Sequence, residues 1–84
     1  MKLPKCARRI LSYLLQKHKN KEKPVASKIE LAEELNYSPS TIKDALSLLG
    51  QLGLVKRNRR TGYYVLVDIP RAKKLLEKLE GEEE

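Results

Sequence analysis

The sequence predicts a mainly α-helical fold with one small β-hairpin. Three observations predict it: an apolar stripe at helical spacing follows Pro4, a second helical pattern breaks at "NYSP" and restarts at once, and residues 54–67 change to short runs of β-forming residues. A final helical pattern follows the hairpin. The 84 residues form one domain, because the chain is shorter than the about 100–200 residues expected for each domain and a second core is not expected to fit.

The first predicted helix covers residues 4–18. Pro4 suits a first helical turn, where its missing N–H costs nothing, and an apolar stripe follows at Ala7, Ile10, Leu11, Leu14 and Leu15. The next residues, "KHKNKEK" at 17–23, carry several charges without periodicity and predict an exposed loop. The apolar "PVA" after them predicts a short strand.

Two short helices joined by a tight turn are predicted next. Ser27 with Glu30 three residues later forms a capping box that begins the second helix. Asn36 tolerates the left-handed conformation that ends a helix, Ser38 is a preferred N-cap, and Pro39 falls at the first position of the third helix. The arrangement is a helix, a three-residue turn and a helix, which is the geometry that positions a second helix in a DNA groove.

The third helix runs from Pro39 to about Gln51, and Gly53 provides its stop. The runs "LVKR" and "YYVLV" then flank the turn-prone "NRRTG", in which Gly62 can adopt positive φ, and together they predict a β-hairpin. The last helix is predicted at 68–80, with Asp68 as its N-cap. Residues 81–84 are expected to form a frayed acidic tail, because negative charge at a helix C-terminus opposes the macrodipole.

The charge is strongly asymmetric. The net charge is +7, with an excess of +7 in residues 1–23 and +4 in residues 54–67, and a deficit elsewhere. Two basic islands of this kind are typical of a protein that binds a polyanion, although a solvated lysine-rich surface is the simpler alternative. One cysteine, Cys6, excludes an internal disulfide framework and a cysteine-rich zinc site, and a disulfide between subunits is a minor alternative for it.

The segment "ELAEELNYSPSTIKDALSLLGQLGLVKR" resembles the winged helix-turn-helix family of DNA-binding regulators, in its GntR-type and MarR-type forms. The resemblance covers about residues 5–67. It implies a three-helix core, a hairpin that forms the wing, and an added C-terminal helix. Residues 1–67 would form the DNA-binding domain.

The resemblance implies that four residues at the start of the third helix meet DNA: Ser38, Ser40, Thr41 and Lys43. Ser47, one turn beyond Lys43, is the next outward position and is expected to do the same. Hydroxyl groups at a helix N-terminus can bond phosphate, and a lysine reaches phosphate or a guanine edge. For Ser38 the simpler role is the helix cap alone. Asp44 adds an acid beside the recognition face; it can accept from cytosine N4, or serve only as a partner within the helix.

The wing is the second expected contact. Arg59 and Arg60 lie at its tip, where arginine suits a narrow minor groove or the DNA backbone. The other wing residues expected at DNA are Lys56, Arg57, Asn58 and Thr61. Solvated turn arginines are the simpler alternative.

The last helix carries an apolar stripe at Ile69, Ala72, Leu75, Leu76 and Leu79. This stripe must be buried, either against the first helix or in a second chain. We expect a homodimer, because a chain under about 100 residues has a limited core. Two-fold symmetry would then set two recognition helices roughly 34 Å apart, which predicts a palindromic operator.

The sequence thus predicts a double-stranded DNA-binding transcriptional regulator without enzymatic activity. No catalytic motif, metal site or cofactor site is recognisable, and no small-molecule ligand is expected. The lack of a signal peptide or apolar span predicts a cytoplasmic protein that does not enter membranes. Two alternatives use the same fold or charges: a winged-helix protein–protein interaction module, which the net −2 of residues 24–53 favours, and an RNA-binding protein.

Overall fold

Four helices and three short strands make up the computed structural model, which describes residues 3–82. In chain order they are α1 (Lys5–Lys19), β1 (Val25–Ala26), α2 (Lys28–Leu35), α3 (Pro39–Gln51), β2 (Val55–Arg57), β3 (Tyr64–Leu66) and α4 (Ile69–Glu82). The predicted fold class, mainly helical with a small sheet, is confirmed.

The helix ends follow the predicted caps. The Ser27 hydroxyl accepts a hydrogen bond from the Glu30 N–H at 3.0 Å, and the Ser38 hydroxyl accepts one from the Thr41 N–H at 3.3 Å. Asn36, at the end of α2, has φ 60° and ψ 48°, the left-handed conformation expected there. These local signals fix the angle at which α3 leaves α2.

The sheet holds one strand more than the predicted hairpin. Its order is β1-β3-β2, antiparallel throughout, with Val65 opposite Val25 on one side and opposite Lys56 on the other. The predicted "PVA" strand is therefore an edge strand of the same sheet. It connects the end of α1 to the hairpin and leaves the loop between β2 and β3, the wing loop (residues 58–63), free to project.

The core is built from aliphatic side chains of all four helices and the start of β2. Its largest fully buried members are Ile10, Leu11, Leu14, Leu31, Ile42, Leu46, Leu49 and Leu54. Helix α1 packs against both α3 and α4. Tyr37 fills the angle between α2 and α3, and Tyr64 packs on the core while Tyr63 stays 43% exposed, which decides between the two adjacent tyrosines.

The apolar stripe of α4 is buried within the single chain. Ala72, Leu76 and Leu79 are 0%, 8% and 5% exposed. Ile69 and Leu75 are half-buried against the same core. The helix thus folds back on α1, the first of the two expected outcomes. The stripe is not free to form the expected dimer contact, because its central side chains already have their apolar partners in this chain.

Two predicted boundaries differ from the structure. α1 continues to Lys19, so the loop after it is shorter than expected, and Pro4 lies just before the helix. α4 continues to Glu82 through the first half of the segment expected to fray. These residues extend a helix that is already formed and packed at Leu76 and Leu79, and each added residue gains a backbone hydrogen bond without the cost of nucleation. The last part of that expected tail, residues 83 and 84, lies outside the described residues.

Candidate nucleic-acid interface

The outward face of α3 is a continuous polar stripe. Ser40, Asp44, Ser47 and Gln51 are all exposed and recur at intervals of four, three and four residues, so they lie on one side of the helix. The opposite side holds the core residues Ile42, Ala45, Leu46 and Leu49. Lys43 is exposed at the margin of the stripe rather than on its centre. Burial of the apolar side therefore fixes which polar side chains face outward.

At the N-terminus of α3 two predicted contact residues bind each other. The Ser38 and Thr41 hydroxyl oxygens are 2.9 Å apart, and the Ser38 oxygen also caps the helix. Pro39 has no N–H to offer. In the first turn of α3, the Ser40 N–H therefore has no hydrogen-bond partner among residues 3–82. The cap role of Ser38 is real, and both hydroxyls remain on the exposed surface.

The wing loop is closed by backbone hydrogen bonds. The Asn58 N–H donates to the Tyr63 carbonyl at 2.8 Å, and the Gly62 N–H donates to the Asn58 carbonyl at 2.7 Å. Gly62 has φ 75°, a conformation that side chains with a Cβ rarely adopt. The loop is therefore a defined turn whose two inner arginines project from a fixed base.

Two of the side chains expected at DNA also hold this turn. The Asn58 Oδ1 accepts from the Arg60 N–H at 2.9 Å, and the Thr61 Oγ1 accepts from the Tyr63 N–H at 3.2 Å. Such bonds are typical of Asx and Ser/Thr turns. Asn58 and Thr61 thus position the loop, while the Arg59 and Arg60 side chains stay exposed.

A shallow groove runs beside the wing. Its volume is about 430 Å³, and Lys56, Arg57, Asn58, Arg59 and Val65 line it. Three of these side chains are cationic, and no acid is among them. Every residue that the sequence singled out for DNA contact is exposed: Ser38, Ser40, Thr41, Lys43, Ser47, Lys56, Arg57, Asn58, Arg59, Arg60 and Thr61.

The structure adds a basic element that the sequence did not place at this face. The Cys6 sulfur lies 3.9 Å from the Thr41 carbonyl oxygen, so the first turn of α1 packs beside the first turn of α3. Lys5, next to Cys6 in the chain, and Arg9, one turn further along α1, are exposed. The helical period showed that these cations face outward, but no local signal told which end of α1 meets α3.

The other half of the N-terminal basic island lies elsewhere. Three exposed lysines lie at the far end of α1: Lys19 is its last residue, and Lys21 and Lys23 follow in the loop. The chain continues from them to Pro24, whose carbonyl accepts from the Leu66 N–H at 3.0 Å, at the end of β3 remote from the wing loop. The island that looks continuous in the sequence is therefore divided between two ends of the molecule.

One lysine of the N-terminal basic island, Lys17, is paired with an acid and does not add free positive charge to the surface. Its Nζ lies 2.6 Å from Glu30 Oε2 and also donates to the Val25 carbonyl at 3.0 Å. The Tyr13 hydroxyl donates to the same Glu30 oxygen at 2.7 Å. Burial alone would raise the pKa of Glu30, but the hydrogen bonds from Lys17 and Tyr13 outweigh it and lower that pKa. This network joins α1, β1 and α2 and belongs to the scaffold.

Other chemistry is not assembled in the described part of the chain. Cys6 is 6% exposed, and burial raises the pKa of its thiol, so the surface that a disulfide between subunits would need is absent at this position. Among residues 3–82 no group of three His, Cys, Asp or Glu side chains could hold a metal ion. None of the helices described is both long and apolar enough to cross a membrane.

Comparison with known proteins agrees with this geometry. Residues 2–68 match the family model described as "Winged helix-turn-helix transcription repressor, HrcA DNA-binding". Among solved structures the chain is similar to a mutant form of Lactococcus lactis ZitR, at a TM-score of 0.68 and 24% identity. That likeness covers 98% of this chain and 56% of the ZitR chain. A search of curated proteins finds no match.

Proposed function

The chain belongs to the family of winged helix-turn-helix DNA-binding domains of HrcA-type transcription repressors, and on that basis we propose how it binds duplex DNA. Helix α3 enters the major groove with its polar stripe, and the wing loop contacts the adjacent minor groove or backbone. The observation that carries this proposal is the pairing of an exposed polar stripe on α3 with two exposed arginines on a closed turn. Both elements are rigidly attached to one core.

The division of labour follows from side-chain chemistry. Ser40, Lys43 and Ser47 offer hydrogen-bonding groups to base edges or phosphates along the groove, whereas Arg59 and Arg60 offer charge at the tip of the wing. Lys56 and Arg57 extend this charge to flanking phosphates. Four residues act mainly by holding these two elements in position. The Ser38 and Thr41 hydroxyls share a hydrogen bond at the start of α3, and the Asn58 and Thr61 side-chain oxygens accept hydrogen bonds within the wing loop.

The first turn of α1 is a third contact in this proposal. Lys5 and Arg9 are exposed on the first two turns of α1, which begins beside the first turn of α3, so we assign them to the phosphates that flank that end of the recognition helix. Lys19 and Lys21 belong to the opposite end of α1 and are outside the proposed footprint. The footprint therefore comprises α3, the wing loop and the beginning of α1.

A homodimer is proposed as the binding unit, with two copies contacting half-sites roughly one duplex turn apart. Because Ala72, Leu76 and Leu79 are buried in each copy, the contact between copies would use the flank of α4 that borders this stripe. Leu75 is half-buried there, in a groove of about 240 Å³ that it lines with Leu52 and Leu54. Arg71, Lys74 and Lys78 also line this groove, so the contact is expected to be weaker at low salt.

We infer a binding role without catalysis, cofactor or small-molecule ligand, in the cytoplasm. The chain spans 56% of the ZitR chain to which it is similar, so the activity of the whole protein is part of this proposal. We favour duplex DNA over RNA because the major groove of B-form DNA admits an α-helix such as α3, whereas the deep and narrow major groove of an RNA helix does not.

Selection from a pool of random duplexes tests the function. The selected duplex and a scrambled duplex are then titrated with the protein at two salt concentrations. We expect enrichment of one sequence, with the selected duplex bound about 10³-fold more tightly than the scrambled one. A palindromic sequence would support the dimer. Weak binding that disappears with salt and enriches nothing would overturn the proposal in favour of a protein partner.

A further inference from the structure

Asp44 occupies the middle of the surface that the proposed function turns toward DNA. It is exposed on α3, with Ser40 one turn before it and Ser47 one turn after it. A negative charge in this place is repelled by both phosphate strands of a duplex. A surface evolved for charge attraction alone would not carry an acid here.

The charge of Asp44 is not neutralised within the described chain. No lysine or arginine nitrogen among residues 3–82 is recorded within 4.0 Å of its carboxylate, although Lys43 is its neighbour in sequence. Two other carboxylates of the protein do have such partners: Glu30 pairs with Lys17, and Asp68 lies 4.0 Å from Arg71. Asp44 is therefore not explained as an ion-pair partner within its helix.

An ionised carboxylate accepts hydrogen bonds but cannot donate them. A carboxylate with no partner in the protein therefore distinguishes bases that present a donor from bases that present only acceptors. In the major groove cytosine presents only the N4 amino donor, guanine presents two acceptors, and thymine presents an acceptor and a methyl group. Adenine presents a donor beside an acceptor. A carboxylate held at the bases is attracted to cytosine and repelled by the acceptors of guanine and thymine.

We infer that Asp44 determines sequence specificity by accepting a hydrogen bond from the N4 amino group of a cytosine in the major groove. The inference rests on the proposed insertion of α3 into that groove. The same carboxylate lowers affinity for every other sequence, because phosphate repulsion is then not offset by a base contact. Asp44 thus increases the ratio of specific to non-specific affinity, because it strengthens binding to the sequence with the cytosine and weakens binding to the others.

Two variants at this position separate base recognition from charge. Asp44→Ala removes the acceptor, and we expect the selected sequence to lose its preference for a C·G pair at one position of each half-site. Asp44→Asn keeps the shape and offers both a donor and an acceptor, the pairing that suits adenine N6 and N7, so the preference should move to A·T at that position. Glu34→Gln is the matched control, since Glu34 is an exposed acid on α2 outside the stripe.

The measurement is selection and sequencing for the wild type and the three variants, followed by titration of the wild-type duplex and one with that C·G pair replaced. The replacement should weaken wild-type binding about tenfold and should change binding of Asp44→Ala less than twofold. Both Asp44 variants should bind a scrambled duplex more tightly than the wild type does, and Glu34→Gln should keep the wild-type sequence preference.

The outcomes are distinct. If the wild type enriches a sequence and both Asp44 variants enrich the same one at every position, the inference is overturned while the proposed function stands. If the wild type enriches no sequence at all, the proposed function fails and the inference fails with it. Circular dichroism of each variant shows that an altered preference does not come from unfolding.

Discussion

Lys17 Nζ lies 2.6 Å from Glu30 Oε2, and this contact ties the last turn of α1 to the first turn of α2. The two side chains are 21% and 29% exposed, so solvent screens them only in part. The pair therefore helps to fix the position of α2, which leads through Asn36 into α3.

Replacement of Glu30 by Gln is expected to destabilise the protein by about 2 kcal/mol, because charge-assisted hydrogen bonds from Lys17 and Tyr13 lose their charged acceptor. Urea denaturation followed by circular dichroism measures the change. Glu33→Gln is the control, since Glu33 is an exposed acid on the same helix. Equal unfolding midpoints for the two variants would contradict the prediction.

The same network predicts how stability depends on pH. The pKa of Glu30 is lower in the folded chain than in the unfolded one, so its contribution is present above the unfolded-state pKa and is lost as pH falls through the folded-state pKa. Burial, and then the bond to Glu30, raise the pKa of Tyr13 from 10.0 to about 12, so the Tyr13 contribution is lost as pH rises through that range. Urea midpoints measured across pH should fall at both extremes, and Glu30→Gln should flatten the acid limb. A wild-type midpoint unchanged down to pH 2 would refute this.

Removal of the wing charge should weaken DNA binding and its salt dependence. For Arg59→Gln with Arg60→Gln we expect the slope of log affinity against log salt to fall by about 2, since each lost phosphate contact removes about 0.9. Fluorescence anisotropy with a labelled duplex gives the slope. Both residues are exposed at a turn that other groups hold, so the unfolding midpoint should not move. An unchanged slope would mean that the wing does not touch the duplex.

The two ends of α1 should differ in their effect on binding. Lys5→Gln with Arg9→Gln is expected to lower the salt slope by up to about 2, whereas Lys19→Gln with Lys21→Gln removes the same charge and should leave the slope close to that of the wild type. The comparison separates contact from net charge. Equal reductions for both pairs would show that only the overall charge of the chain matters.

Leu75 and Leu76 are neighbours with different expected roles. Leu76→Ala should cost about 3 kcal/mol of stability, because the side chain is 8% exposed in the core. Leu75→Glu changes a half-buried residue at the edge of the same core, so it should cost less stability than that and should abolish the proposed dimer. Sedimentation equilibrium at several protein concentrations measures the dimer. A wild type that is monomeric at all of them, also when bound to its selected duplex, would contradict the dimer.

The signals that predicted correctly were local ones. Ser27, Asn36, Ser38 and Gly62 each adopt the cap or turn conformation that their side chain, or its absence, favours. The partner of an apolar face is a tertiary property, so the sequence left open whether Leu76 packs on α1 or on a second chain. For the same reason the sequence predicted a strand at Val25–Ala26 but not its pairing with β3.

In the candidate site, too, local patterns identified some residues, and others depend on tertiary packing. Helical periodicity identified the exposed residues of α3, and composition identified the wing arginines. The position of Lys5 and Arg9 beside α3 depends on how two helices distant in sequence pack, and no pattern in either helix contains that information. The use of the Asn58 and Thr61 oxygens within the loop is likewise visible only once the turn is built.

The four hydrogen bonds inside the wing loop have a consequence for the kinetics of the proposed complex. Ordering a flexible backbone costs about 1–2 kcal/mol per residue, and a loop that is already closed avoids this entropy loss when it meets its target. Only the rotamers of two long side chains remain to be immobilised. Loosening the turn, for example by Asn58→Ala, would therefore slow productive docking or hasten release even though the charge of the wing is unchanged.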